Sequence, residues 1–186
     1  MTTIAILNPK SGNGRAGKTW AKVSAHLREH VVTLETQAPG HAIELTADAI
    51  KSGATTIIAV GGDGAVNEVV NGFFENGQLI SGDATLGIVP HGTGSDFSRI
   101  LNFPADAKKM AAIIENGERR MIDLLQVRYT RMDGAPALRY SINITSFARA
   151  DRSDPPLSAN GALRFSWHEI PLVEGISFTQ VSGGLS

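Results

Sequence analysis

The sequence predicts an α/β layered domain with a largely parallel sheet, followed by the start of a β-rich region. Three observations carry this expectation. From Thr3 to about Asp123, short apolar runs alternate with segments of helical period. The strongest run, Thr55 to Val60, is continuously apolar, as a strand covered on both faces should be. Glycine-rich turns follow three of the runs, at the carboxyl edge where open α/β sheets bind ligands.

In chain order, Ile4-Ala5-Ile6-Leu7 reads as a buried strand. Trp20, Val23, Leu27 and Val31 then recur at helical spacing. Val31-Val32-Thr33-Leu34 is β-branched and strand-like. His41 to Lys51 carries Ala42, Leu45 and Ala49 on one helical face. After the Thr55–Val60 strand, Val66, Val69, Val70 and Phe73 form a stripe that Asn76-Gly77 is expected to end. Leu86-Gly87-Ile88-Val89 is a fourth strand, and Ala105 to Asn116 a further helix after Pro104. Around Met121 the rhythm changes. Leu124–Thr130 and Leu138–Ile144 look like strands joined through Arg131-Met132-Asp133-Gly134, where Asp-Gly signals a hairpin. The expected division is an α/β domain over residues 1–122 and an incomplete β-rich second domain over 123–186. Within it, residues 148–186 show no sustained period.

Composition excludes several classes. The 186 residues are 42% hydrophobic and 19% charged, which suits a globular core and argues against wholesale disorder. Seventeen Lys+Arg against eighteen Asp+Glu leave no global basic surface, and no nucleic-acid partner is expected. Zero cysteines removes disulfides, thiolate-bound metal and a cysteine nucleophile. No run approaches the roughly 20 apolar residues of a membrane span, and the first residues lack a secretory pattern. A cytoplasmic protein is the expectation. Glycine is the one excess: 20 residues, about 11% against an average near 7%.

The glycines cluster in three loops. Asn8-Pro9-Lys10-Ser11-Gly12-Asn13-Gly14 follows the first strand. Glycines let backbone N–H groups approach a phosphate, and a helix N-terminus adds positive potential. Met1 to Arg28 holds five basic residues and no acidic one, a local cationic region that includes Lys10, Arg15 and Lys18. The loop is neither a Walker A loop nor a GxGxxG fingerprint, and read alone it is also compatible with a surface turn. Gly61-Gly62-Asp63-Gly64-Ala65-Val66-Asn67-Glu68 follows the best strand. Three glycines around one carboxylate suit a backbone that wraps phosphates while Asp63 engages Mg²⁺ or a hydroxyl. Glu68 reads equally well as a first-turn acid complementing the helix dipole. The third loop is Pro90-His91-Gly92-Thr93-Gly94-Ser95-Asp96-Phe97-Ser98-Arg99. Here Thr93 offers a hydroxyl to phosphate, and Ser95 or Asp96 a helix cap. His91 has no evident partner and reads as a turn-exposed histidine before it reads as a base.

In this order and spacing, the three motifs resemble the diacylglycerol kinase catalytic domain, with bacterial soluble lipid kinases, sphingosine kinases and ceramide kinases as relatives. The likeness covers roughly residues 2–147, through Asn143-Ile144-Thr145-Ser146-Phe147. It implies an NAD kinase/diacylglycerol kinase-like nucleotide-binding fold and ATP-dependent, Mg²⁺-assisted phosphorylation of a lipid hydroxyl, with a place in phospholipid biosynthesis. It implies nucleotide contacts at Asn8, Pro9, Lys10, Ser11 and Gly12; at Thr36, four residues before Gly40; at Gly62, Asp63, Gly64, Ala65, Val66, Asn67 and Glu68; and at Thr93. Asp63 matches a carboxylate that the family needs for activity. A diacylglycerol-like substrate and transient contact with a membrane surface follow from the family. NAD kinases share only the Gly-Gly-Asp-Gly element and are the runner-up. Two departures stand out, Ala65 for the usual threonine and Ser95 for a common asparagine. The family's second domain supplies a late glutamate base and further metal ligands, and no match for these is found after Phe147. The expectation is therefore an ATP-binding domain over residues 1–122 and a second domain cut short, and a nucleotide-binding but catalytically incomplete chain is the alternative reading.

Overall fold

The four apolar runs of the N-terminal half become neighbouring parallel strands because each is followed by a helix that returns the chain across one face. The computed structural model describes residues 2–91, 103–131, 133–142 and 164–174. Strands β1 (Thr3–Leu7), β2 (Val32–Glu35), β3 (Thr56–Gly61) and β6 (Thr85–Pro90) are joined by helices α1 (Ala16–Ser24), α2 (His41–Lys51) and α3 (Asp63–Gly72). Between α3 and β6 lies a small hairpin, β4 (Phe74–Glu75) and β5 (Gln78–Leu79). Helix α4 (Ala107–Asn116) precedes β7 (Glu118–Thr130), β8 (Pro136–Ser141) and β9 (Arg164–Glu174). Among the described residues the main sheet has seven strands, in the order β2-β1-β3-β6-β9-β7-β8.

Strand β3 is buried along its whole length, and its alternation serves two cores. Ile57 and Ala59 meet Val66, Val69, Val70 and Phe73 of the α3 segment, with Ala42, Ala49 and Ile50 of α2. Ile58 and Val60 meet Ala16, Trp20 and Val23 of α1, with Met110 and Ala111 of α4. Burying each large aliphatic or aromatic side chain contributes roughly 1.5–3 kcal/mol, so this two-sided core anchors the sheet. Helix α1 therefore covers one face while α2 and α3 cover the other. The chain changes direction between β1 and β3, which opens a crevice at the carboxyl edge of those strands.

The helix expected at His41–Lys51 is found with those bounds, and Gly40 precedes it in the left-handed region (φ 85°). The helix after β1 is shorter than its apolar spacing suggests: Leu27 and Val31 pack against the core beyond its end. Asn76-Gly77 does not stop α3. Both residues have positive φ (51° and 80°), and they form the two-residue turn that pairs Phe74 with Leu79.

The expected hairpin is present: β7 and β8 pair antiparallel from Leu125↔Ser141 to Thr130↔Pro136. It continues the main sheet. Strand β9 lies between, antiparallel to β7 from Glu118↔Glu174 to Arg128↔Arg164 and parallel to β6 at Leu86↔Leu172. The boundary at residues 122/123 falls inside β7.

Candidate functional site

Two glycine corners and His91, which begins the third loop, meet at the carboxyl rim of β1, β3 and β6. The first leaves β1 at Asn8, whose N–H donates to the Val60 carbonyl (3.0 Å) and extends the β1–β3 pairing to the rim. The Asn8 side chain then accepts from the Lys10 N–H (3.0 Å), a local turn that redirects the backbone. Gly12 and Asn13 are left-handed (φ 58° and 57°), and the Arg15 Nε donates to the Gly12 carbonyl (3.0 Å). This brings the chain into α1, which Trp20 ties to β2 by donating to Thr33 Oγ1 (2.8 Å).

The second corner leaves β3 at Gly61. A Cβ there would stand 2.7 Å from the Ala65 Cβ and 3.0 Å from Ser11 Oγ, so only glycine lets the first two corners nest. The Gly62 N–H donates to Ser11 Oγ over a long 3.4 Å. Gly62 is extended and has no side chain to cap α3, so the first N–H groups of that ten-residue helix face the rim with its positive dipole end. Asp63 is the first residue of α3 and is half-buried. Ala65 and Val66 are buried beneath the corner, so a ligand meets them only through their backbone. Glu68 is half-buried one turn further along.

The third corner begins at His91, whose N–H donates to the Gly61 carbonyl (2.8 Å). His91 is not the exposed turn residue expected. It is part-buried, Nδ1 lies 2.9 Å from Thr19 Oγ1 of α1, and its ring occupies the space a side chain on Gly12 would need. Gly92 to Arg99 lie outside the described residues, with Thr93, Ser95 and Asp96 among them. Thr36 stands at the same rim, its N–H donating to the Leu7 carbonyl (2.9 Å). Pro9 is half-buried, while Lys10, Arg15 and Lys18 are exposed beside the first corner and give this rim its positive charge.

Two asparagines of α3 take a role that the motif alone does not announce. Asn67 Oδ1 accepts from the Ile142 N–H (3.2 Å). Asn71, not singled out from sequence, binds both backbone groups of Tyr140: its Nδ2 donates to the carbonyl (2.8 Å) and its Oδ1 accepts from the N–H (2.9 Å). The four-residue spacing that puts both on one helix face was the available signal.

The donor set suits a magnesium ion bound together with phosphates. Asp63 supplies a carboxylate at the N-terminal end of a helix, the usual sparse protein share of such a site. Among the described residues, no three His, Asp or Glu side chains converge to form a self-sufficient metal cage.

A doubly covered parallel sheet with glycine corners and a helix N-terminus at its switch point is the arrangement at which open α/β domains take up phosphate-bearing ligands. The family model for the diacylglycerol kinase catalytic domain matches residues 2–127, and the chain belongs to that family. It is 37% identical over 126 residues to a diacylglycerol kinase of Bacillus subtilis (strain 168), covering 66% of this chain and 40% of the relative. To a diacylglycerol kinase of Mycobacterium tuberculosis (strain ATCC 25618 / H37Rv) it is 33% identical over 129 residues, covering 67% and 40%. The crystal structure of a diacylglycerol kinase from Bacillus anthracis str. Sterne superposes with a TM-score of 0.53 at 25% identity, covering 76% of this chain and 60% of that one. The chain thus spans about two-fifths of the length of these curated relatives. The fold is that of the NAD kinase/diacylglycerol kinase-like α/β domains, as expected. No helix among the described residues is long and apolar enough to cross a membrane.

Proposed function

We propose that the chain binds ATP with Mg²⁺ at the rim of β1, β3 and β6 and serves transfer of the γ-phosphoryl group to a lipid hydroxyl, with a diacylglycerol-like acceptor. The observation that carries the reading is the interlock of the corners: Ser11 with Gly62, and Gly12 with His91. Glycine at positions 12 and 61 makes that closeness sterically feasible, and closeness is what a chain of phosphates requires.

In this reading the backbone of Asn8 to Gly12 and of Gly62 to Glu68 lines the phosphates, with Lys10 offsetting their charge. Thr36 and Thr93 contact the nucleotide. Asp63 would hold the metal ion, which would supply positive charge against the phosphates. The acceptor oxygen forms a bond to the γ-phosphorus as the bond to the β–γ bridging oxygen breaks; ADP leaves and a base takes the hydroxyl proton. The chain contributes position and electrostatic complementarity, on which phosphoryl transfer chiefly depends. The exposed Lys10, Arg15 and Lys18 suit brief contact with an anionic membrane surface where such a lipid resides.

The test is calorimetric titration with MgATP, followed by transfer of labelled phosphate from ATP to diacylglycerol in mixed micelles. Saturable heat and a labelled phospholipid support the reading. Saturable heat without product returns the binding-only alternative, and no heat at all overturns both. Labelling of NAD in place of lipid would favour the NAD kinase-like reading.

A further inference from the structure

Strand β8, the outermost of the described strands, is met on the side away from β7 by the asparagines of a helix. Tyr140 turns its N–H and carbonyl away from β7, and Asn71 satisfies both as a neighbouring strand would. Two residues on, the Ile142 N–H is met by Asn67. An edge strand left bare would invite non-native pairing, so this closure protects it. It also does more, because the helix that supplies it is α3, whose first turn is the phosphate corner.

A second tether joins the same two places. The residues following α3 enter the β4–β5 hairpin, and the Phe74 ring stacks on the Tyr140 ring with centroids 3.6 Å apart and planes inclined by 13°. The Tyr140 hydroxyl donates to the Gly77 carbonyl (3.1 Å) and accepts from Gln126 Nε2 of β7 (2.8 Å). Gln126 in turn accepts from Arg128 Nε (3.2 Å). Tyr140 is thus bound through its backbone to the phosphate helix, and through its side chain to the hairpin behind that helix and to β7.

A helix moves as a rod, and Asp63 and Asn71 are eight residues apart on this one, roughly 12 Å at 1.5 Å per residue. An adjustment of α3 that brings its N–H groups onto a phosphate must carry Asn67 and Asn71 with it. We propose that Asn71 is a positioning residue that couples nucleotide occupancy at the α3 N-terminus to the antiparallel β7–β8 part of the sheet, with Asn67 assisting. The proposal rests on the nucleotide reading given above.

Hydrogen exchange at individual amides tests it directly, because the Tyr140 and Ile142 N–H groups are the ones the asparagines hold. In the wild-type chain, saturating MgADP is expected to slow exchange at both by a factor of about 5–150, the usual range of coupling between two sites. In Asn71→Ala, MgADP still binds, and the response at Tyr140 is lost. Asn71→Asp keeps an acceptor for the Tyr140 N–H but loses the donor to its carbonyl, and should retain part of the response. Saturable MgADP heat with no change at these two amides in the wild type overturns the coupling while leaving nucleotide binding intact. An equal response in Asn71→Ala also overturns it. Absence of MgADP heat from the wild-type chain overturns the nucleotide reading and the coupling with it. The wild-type arm decides the matter even where a variant folds poorly.

Discussion

The imidazole of His91 lies where a side chain on Gly12 would have to go, so the first and third corners close on each other only because position 12 is glycine. The contact joins the loops that follow two strands separated by β3, and it is fixed from behind by Thr19 of α1. Gly12→Ala should therefore act twice. Holding alanine in the left-handed region costs about 1–2 kcal/mol, and the ring must also leave its place beside Thr19. The melting temperature should fall by roughly 2–4 °C for each kcal/mol in a chain of this size. Adding His91→Ala should recover the steric part and leave the backbone part. Thermal melts of the four proteins in this double-mutant cycle measure the difference, and strict additivity would refute the contact.

Asp63→Asn keeps the shape of the side chain and removes its charge at the start of α3. Stability should drop by no more than about 0.3–1 kcal/mol, the usual worth of an acid at a helix N-terminus. Transfer of labelled phosphate should fall by about 10²–10³-fold, comparable to losing one preorganised electrostatic contact at a reacting centre. A melt and a transfer assay on the same preparation separate the two effects. Full transfer by the variant would remove Asp63 from the site.

Helices α2 and α3 approach so closely that a Cβ on Gly72 would stand 2.5 Å from the Thr46 Cβ and 2.6 Å from the Ile43 carbonyl oxygen. The second obstacle is backbone and cannot swing aside. Gly72→Ala should force the helices apart and cost about 1–3 kcal/mol, read as a lower denaturant midpoint. Because α3 begins at the proposed phosphate corner, nucleotide affinity should weaken as well. Unchanged stability would mean that the helices are not in contact at this point.

Thr85 is fully buried in β6, and its hydroxyl has no hydrogen-bond partner among the described residues. Leaving such a group dry costs about 1–3 kcal/mol, and valine has nearly the same shape with higher strand preference. Thr85→Val should raise the denaturant midpoint, by about 1 kcal/mol at the low end of that range. A loss of stability would show that the hydroxyl is satisfied.

The α/β half of the fold was legible because local signals suffice there. Ile57 to Val60 are apolar without a break since each face of β3 meets a different helix pair, and His41 to Lys51 show an unbroken helical stripe. What escaped depends on partners distant in sequence. Strand β9 takes its place between β6 and β7 by pairing Leu172 with Leu86, and Pro171 in its middle is a residue that central strands seldom accept. Its own pattern could not announce two neighbours. The partner of His91 is Thr19, 72 positions away, and Asn71 has meaning only once β8 is laid beside α3. Asn76-Gly77 was legible as a turn but ambiguous between a helix stop and a hairpin, since both use left-handed residues.

The phenol of Tyr140 sets how the molecule responds to alkali. Burial pushes its pKa above the ordinary tyrosine value, while the Gln126 hydrogen bond and the nearby Arg128 charge act in the opposite direction and only partly offset it. A folded-state pKa raised above the unfolded one means that the fold favours the neutral phenol. That contribution is present in full below the unfolded value of about 10 and is lost as pH rises through the higher folded value. The structural reason is direct: the neutral hydroxyl donates to the Gly77 carbonyl, and the phenolate has no proton to give. Phenolate absorbance of the folded chain should therefore show a step later than that of free tyrosine, and denaturant midpoints should decline over the same interval. Tyr140→Phe should remove the step, keep the stacking on Phe74, and cost about 1–3 kcal/mol at neutral pH by removing the hydroxyl's hydrogen bonds to Gln126 and the Gly77 carbonyl. A wild-type step at or below the free tyrosine value, or a midpoint indifferent to alkali, would show that the hydroxyl is not held in this network.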